Sequence, residues 1–187
     1  MTHSEKKKRI LKGAFDVFAK EGFQAVSMRK LSQELGVTTG TLYHYYRSKD
    51  ELFTDIIKNQ AGADIAQASV MVSGILERQE RLELLVGFVD ERSEYFSNLV
   101  LIIMDFVRKD ESSMSPAEKK IKVAIYQAIE DYSKAIQVVL DLNSYECARG
   151  IFSYFVGSLL NRLVGAPRTS IRDLIDLITN YEKGETT

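Results

Sequence analysis

Between residues 22 and 48 the chain is punctuated by caps that divide it into short helical pieces. Gly22 can stop an amphipathic stretch, and Ser27 can cap a helix of about two turns. Gly36 stands where a left-handed C-terminal residue is needed, and Thr38 can cap a further helix running to about Tyr46. Two short helices over residues 27–46, joined by a glycine-containing turn of about three residues, have helix-turn-helix spacing. Ahead of them, from Glu5 to Glu21, Ile10, Leu11, Ala14, Phe15, Phe18 and Ala19 recur at helical intervals with lysines between. That pattern predicts a first helix on which the pair can pack.

Two prolines and eleven glycines in 187 residues favour long helices over the many tight turns of a β-sandwich. Ser48 and Glu51 make a capping box ahead of Leu52, Phe53, Ile56 and Ile57, which predicts a long fourth helix. Further helices are expected near residues 75–94, 95–109, 116–141, 144–166 and 170–182. Ser115-Pro116-Ala117-Glu118 opens one of them, with proline at the first helical position inside a second capping box, and Asn143 or Ser144 opens the next. The expected class is all-α, with a three-helix helix-turn-helix head over 1–47 and a helical body over 48–187.

Charge separates the same two parts. Residues 1–50 carry ten lysines and arginines against five acids, net +5, whereas residues 51–187 carry fifteen against twenty-one, net −6. A basic head on an acidic body directs one end toward a polyanion. The one cysteine, Cys147, cannot pair within the chain, and no charged-then-apolar-then-small leader opens it, so a cytoplasmic location is expected. No apolar run reaches the ~18 residues of a membrane span, so no membrane partner is expected. One cysteine and two histidines supply neither a metal cluster nor a Cys/His pair, and no nucleophile elbow or phosphate loop is present. No enzyme, metal or cofactor is expected.

At about 100° per residue from Thr38, the residues Thr39, Gly40, Tyr43 and His44 fall on one side of the third helix, at roughly 100–240°, and Leu42, Tyr45 and Tyr46 on the other. Leu42 and Tyr46 are expected to hold the helix to the first two. The outward side carries no acid. Tyr43 and the threonines can donate to phosphate oxygens, Gly40 lets a backbone come close, and His44 can donate to a purine acceptor in the major groove.

The segments Val26-Ser27-Met28-Arg29-Lys30-Leu31, Gly36-Val37-Thr38-Thr39-Gly40-Thr41-Leu42-Tyr43-His44-Tyr45-Tyr46 and Ser48-Lys49-Asp50-Glu51-Leu52 resemble the tetracycline-repressor (TetR/AcrR) family over about residues 8–55. The resemblance implies a repressor that binds a pseudo-palindromic double-stranded DNA operator as a homodimer and is released by a small-molecule effector. It makes Ser27, Thr38, Thr39, Gly40, Tyr43 and His44 DNA contacts, with Lys49 reaching phosphate. It also places the last two helices in a four-helix dimer interface, where Phe152, Phe155, Val156, Leu159, Leu163, Leu174 and Ile178 are the expected contacts. The effector pocket is not legible: Phe88, Tyr95, Phe96, Met104, Phe106, Tyr126 and Tyr154 can line it, with Arg108 or Asp105 as a polar anchor, or can simply close the core. A helical module that binds another protein through its head, without DNA, is the alternative.

Overall fold

The computed structural model describes residues 2–166 together with Leu174, Ile175 and Ile178, and all regular structure among them is helical. The helix expected over 170–182 lies outside the described residues apart from those three. In chain order the helices are α1 (His3–Glu21), α2 (Met28–Glu34), α3 (Thr39–Tyr45), α4 (Lys49–Met71), α5 (Arg78–Glu91), α6 (Ser93–Val107), α7 (Pro116–Leu140) and α8 (Tyr145–Leu163), with one 3-10 turn over Glu111–Ser113.

Local chemistry sets most of these boundaries. Thr2 and Glu5 close a complete capping box, so α1 begins at His3 rather than near Glu5. His3 therefore sits in the first turn of α1. Ser115 and Glu118 form a second box around Pro116. Ser144 rather than Asn143 caps α8. At α4 the box opens on one side: the Glu51 amide donates to Ser48 Oγ, but the Glu51 carboxylate accepts from the Arg47 amide, one residue further back. α8 ends earlier than expected, at Leu163, because Gly165 turns left-handed (φ 69°) just beyond it.

The chain divides into two compact units. The first comprises Met1–Gln60 and Asn98–Tyr126, the second Ala61–Ser97 and Gln127–Thr187. At the centre of the first unit Phe18 of α1, Phe23, Phe53 of α4 and Phe106 of α6 meet at ring-centroid distances of 5.0–5.6 Å. All four are fully buried, and Leu31 and Leu42 are buried with no exposure at all, so the helix-turn-helix pair is enclosed from behind. Phe106 is thus a core residue of this unit, whereas Met104 and Tyr126 are exposed. Arg108 and Asp105 form an ion pair with each other at the surface, one turn apart.

The second unit closes on another apolar cluster, in which Leu82 and Leu85 of α5, Ile136 and Leu140 of α7, Ile151 and Phe155 of α8, and Leu174 and Ile178 are all buried. Cys147 is a buried filler here. Asp141 adopts φ 51° in the turn between α7 and α8, and its carbonyl accepts from Arg78 at 2.8 Å. Among the described residues no helix is long and apolar enough to cross a membrane.

Removing the ring at the centre of the first cluster leaves a cavity that rigid neighbours cannot fill. Phe53→Ala should lower unfolding stability by about 3–5 kcal/mol, read from chemical denaturation with an unchanged helical spectrum at low denaturant.

Candidate nucleic-acid interface

The short helices at the front of the first unit exist because their caps are in place. Ser27 Oγ accepts from the Lys30 amide at 3.2 Å and starts α2. Thr38 Oγ1 accepts from the Thr41 amide at 3.0 Å and starts α3. Gly36 supplies the left-handed turn between them, at φ 61°. Ser32, almost fully buried, donates its hydroxyl proton to the Arg29 carbonyl. The Thr39 hydroxyl, 2.9 Å away, must then be the donor in the contact that joins α3 to α2.

The wheel drawn for α3 matches its burial. Leu42 and Tyr46 are inside, whereas Gly40, Tyr43 and His44 are exposed, Tyr43 to 51%. Ser27 and Thr38 are exposed as well. Thr39, expected on the open side, is half-buried through its bond to Ser32. An added Cβ at Gly40 would meet only Thr38 Oγ1, at an ordinary 3.9 Å. Nothing in the folded chain requires glycine there, so any requirement comes from what lies outside. Tyr45 is covered by His3, whose ring lies 4.8 Å from it, while His44 stands edge-on to both. The chain's two histidines thus meet at one end of this face, an association invisible in sequence because 41 positions separate them.

Two polar clamps fix α4 to the three head helices. Asp55 of α4 accepts from the Tyr46 hydroxyl at 2.7 Å, pairs with Lys7 of α1 at 2.8 Å and accepts from Asn59 at 2.8 Å. Burial pushes the Asp55 carboxyl upward, but the bonds from Lys7, Tyr46 and Asn59 and the Lys7 charge outweigh it and hold the group below the usual carboxylate range. Burial and the Asp55 carboxylate drive the Tyr46 hydroxyl far above its ordinary value, so it stays a donor.

Lys49 forms the second clamp and differs from expectation. Rather than reaching outward, its ammonium donates to the carbonyls of Phe23 at 2.9 Å, Val26 at 3.0 Å and Gln24 at 3.4 Å, and lies 4.5 Å from the Phe23 ring centroid. An ammonium has three protons, and all three are engaged. Desolvation lowers its pKa despite the nearby Asp50 and Glu118 carboxylates. The exposed basic groups beside α3 are instead Arg29, in the first turn of α2, and Arg47, just after α3; neither makes an ion pair among the described residues. Their signal in the sequence is the basic balance of the head, which neither cap chemistry nor helical period resolves to single residues.

Of the residues expected at a dimer interface, Phe155, Leu159, Leu174 and Ile178 are buried within the protomer. Phe152 is half-buried against Tyr132, and Val156 is half-buried. Leu163 is exposed, together with Leu160 and Val164 at the same end of α8.

Residues 10–56 match the family described as bacterial regulatory proteins, tetR family. The chain is similar to the HTH-type transcriptional regulator UidR of Escherichia coli, with 24% identity over 153 residues covering 81% of this chain and 78% of that protein. Its fold is similar to that of a transcriptional regulator from Saccharomonospora viridis solved in complex with choline (TM-score 0.64, 17% identity, 97% of each chain). It is also similar to that of the regulator FadR from Bacillus subtilis solved with stearoyl-CoA (TM-score 0.63, 16% identity, 96% of this chain and 99% of that one).

Two outcomes follow from this geometry. Gly40→Ala should stabilise the fold by about 0.5–1 kcal/mol, through better helix propensity, yet weaken DNA binding, because the new methyl occupies the approach of the partner; denaturation and a DNA titration of one preparation check both signs. A depressed carboxyl contributes stability that is fully present above the ordinary carboxylate range and is lost as pH falls through its lowered value. The wild-type thermal midpoint should therefore drop on acidification below about pH 4, while Asp55→Asn should start lower at pH 7 and fall less.

Proposed function

We propose that the chain, a DNA-binding transcription regulator whose residues 10–56 match the tetR family, acts as a homodimeric repressor that grips a pseudo-palindromic operator and lets go when a small-molecule effector binds its body. The observation that carries this reading is the outward face of α3. Gly40, Tyr43 and His44 stand exposed there, with Ser27 and Thr38 exposed at the caps of the two helices and no acid among them. Functionally the division is a reading head over 1–47 and a body over 48–187.

In this reading α3 lies in the major groove. Tyr43 and the hydroxyls of Ser27 and Thr38 hold phosphate oxygens and set register, and the purine edge is left to His44. Thr39 serves mainly by fixing α3 to α2. Lys49 acts from behind, holding the Phe23–Val26 carbonyls and hence the start of α2, while Arg29 and Arg47 supply the positive charge at the surface. Two heads on one two-fold axis contact half-sites about 34 Å apart.

The dimer uses the open end of α8, where Leu160, Leu163 and Val164 expose apolar surface, with Val156 behind them. Phe155, Leu159, Leu174 and Ile178 support that surface from inside their own protomer. A dimer bound across a promoter blocks transcription by occupancy, and the effector releases it only as far as its affinities for the free and DNA-bound forms differ. Relatives of this fold hold ligands as different as choline and stearoyl-CoA, so the fold leaves the effector's chemistry to the lining of the individual body. The place of such a regulator is the cytoplasm, beside its DNA.

Selection from random double-stranded DNA, followed by titration at two salt concentrations, tests the reading. If each head neutralises about three to four phosphates, log K should fall against log salt with a slope near −6 to −7. Tyr43→Ala combined with His44→Ala should abolish selective binding with the dimer intact. Recovery of no sequence from the pool, or unchanged binding by the double variant, would contradict it. Promoter output with and without the protein separates repression from activation.

A further inference from the structure

Reading a base edge asks more of a side chain than exposure. A hydrogen bond to a purine acceptor needs its donor at about 3 Å and nearly in line, and a side chain that turns freely on a helix surface must be ordered before it can bind. His44 is exposed on α3, yet its ring has neighbours. It lies 5.5 Å from the Tyr45 ring at 86° and 6.3 Å from the His3 ring at 80°. Those two rings are 4.8 Å apart and 34° from parallel. His44 thus stands nearly perpendicular to a pair of rings, an edge-to-face arrangement that aromatic quadrupoles favour.

One ring of that pair comes from α1, and three local features put it there. The Glu5 amide donates to Thr2 Oγ1 at 3.2 Å and the Thr2 amide to the Glu5 carboxylate at 2.6 Å, so the backbone is helical from His3 onward. One turn further, on the same side of the helix, Lys7 pairs with Asp55 at 2.8 Å and lies 5.8 Å from the Tyr46 ring centroid. Residues four apart on α1 therefore meet consecutive residues, Tyr45 and Tyr46, at the end of α3. The Lys7, Asp55 and Tyr46 contacts set this register from behind and hold His3 over Tyr45. His3 itself is exposed, so its ring adds little to the core. What it constrains is the end of the reading face.

We propose that His3 is a positioning residue of the DNA interface: its ring, seated on Tyr45, orients the His44 imidazole for its base contact, so that operator selectivity depends on the first turn of α1. The role rests on the reading of α3 as the helix that enters the major groove; the ring contact stands on the geometry. It separates two quantities that a general weakening would move together. Phosphate contacts, which set the salt dependence, do not pass through His3, whereas discrimination at the base pair read by His44 does. The ring rather than its nitrogens does the work, so another flat ring at position 3 should serve.

Selection from random double-stranded DNA with the full-length wild type, His44→Ala, His3→Ala and His3→Phe tests it, base position by base position. His44→Ala identifies the position that His44 reads. His3→Ala should lower discrimination at that same position about three- to tenfold, with the other positions and the salt slope unchanged. His3→Phe, which keeps a ring but no donor, should stay within about twofold of wild type. Full discrimination in His3→Ala, an equal loss at every position, or a His3→Phe protein as impaired as His3→Ala would overturn the role. A second readout needs no DNA. The chain has two histidines, so the proton spectrum carries two imidazole signals, and His3→Ala removes one and should shift the other; an unmoved His44 signal would overturn the contact. Wild type and variants that select the same operator with the same discrimination remove this inference alone. A wild type that selects no DNA, with the His44 signal still responsive to His3, removes the reading of α3 and this role with it, and leaves the contact as a feature of the fold.

Discussion

Four phenylalanine rings, Phe18, Phe23, Phe53 and Phe106, sit with centroids 5.0–5.6 Å apart and almost no exposure, and the presentation of α3 depends on them. A seven-residue helix has too few internal hydrogen bonds to persist in water. α2 and α3 are both of that length, so their shape is borrowed from what they rest on. The cluster supplies the apolar floor, and Leu31 and Leu42 complete it. Edge-to-face and offset ring pairs of this kind also have preferred geometries, which makes the floor rigid as well as greasy.

Polar contacts then set orientation on that floor. Asp55 gathers Tyr46, Lys7 and Asn59, and Lys49 gathers three carbonyls from the turn after α1. Each clamp ties α4 to a different part of the head: one to the end of α3, the other to the start of α2. The consequence is that the exposed face of α3 has few internal obligations, the edge-on contacts of His44 with His3 and Tyr45 among them. Gly40 and Tyr43 stay exposed because the other side of the helix does the packing, and a side chain added at Gly40 would meet only Thr38 Oγ1 at an ordinary distance.

Much of this was legible in sequence where the determinant was local. Ser27, Thr38, Ser115 and Ser144 act within three residues of themselves, and Gly36 within one, so cap chemistry could be read directly. The inward and outward sides of α3 followed from helical period, except at Thr39, which its bond to Ser32 draws half inside. What escaped depended on partners distant in the chain. Lys49 has the composition of a phosphate ligand, and only the arrival of the 23–26 turn beside it uses up its protons. His3 reads as a frayed end until Tyr45, far along the chain, provides a surface for it. The ion pair between Asp64 and Arg92, 2.6 Å long, escaped because a lone acid and a lone base 28 positions apart look like surface charge. Apolar residues of α8 showed the same limit, since periodicity marks a face as buried without saying whether the same protomer or a partner buries it.

The central claim is that the front of the first unit, and α3 above all, is what meets DNA. Amide hydrogen exchange of the full-length protein, with and without a selected operator duplex, tests it most directly. The account predicts new protection confined to Ser27–Lys30 and Thr38–Tyr45, with the Asp55 turn of α4 already protected and unchanged. Protection that instead appears on the surface of α5 or α8, with α3 exchanging as freely as before, would contradict it.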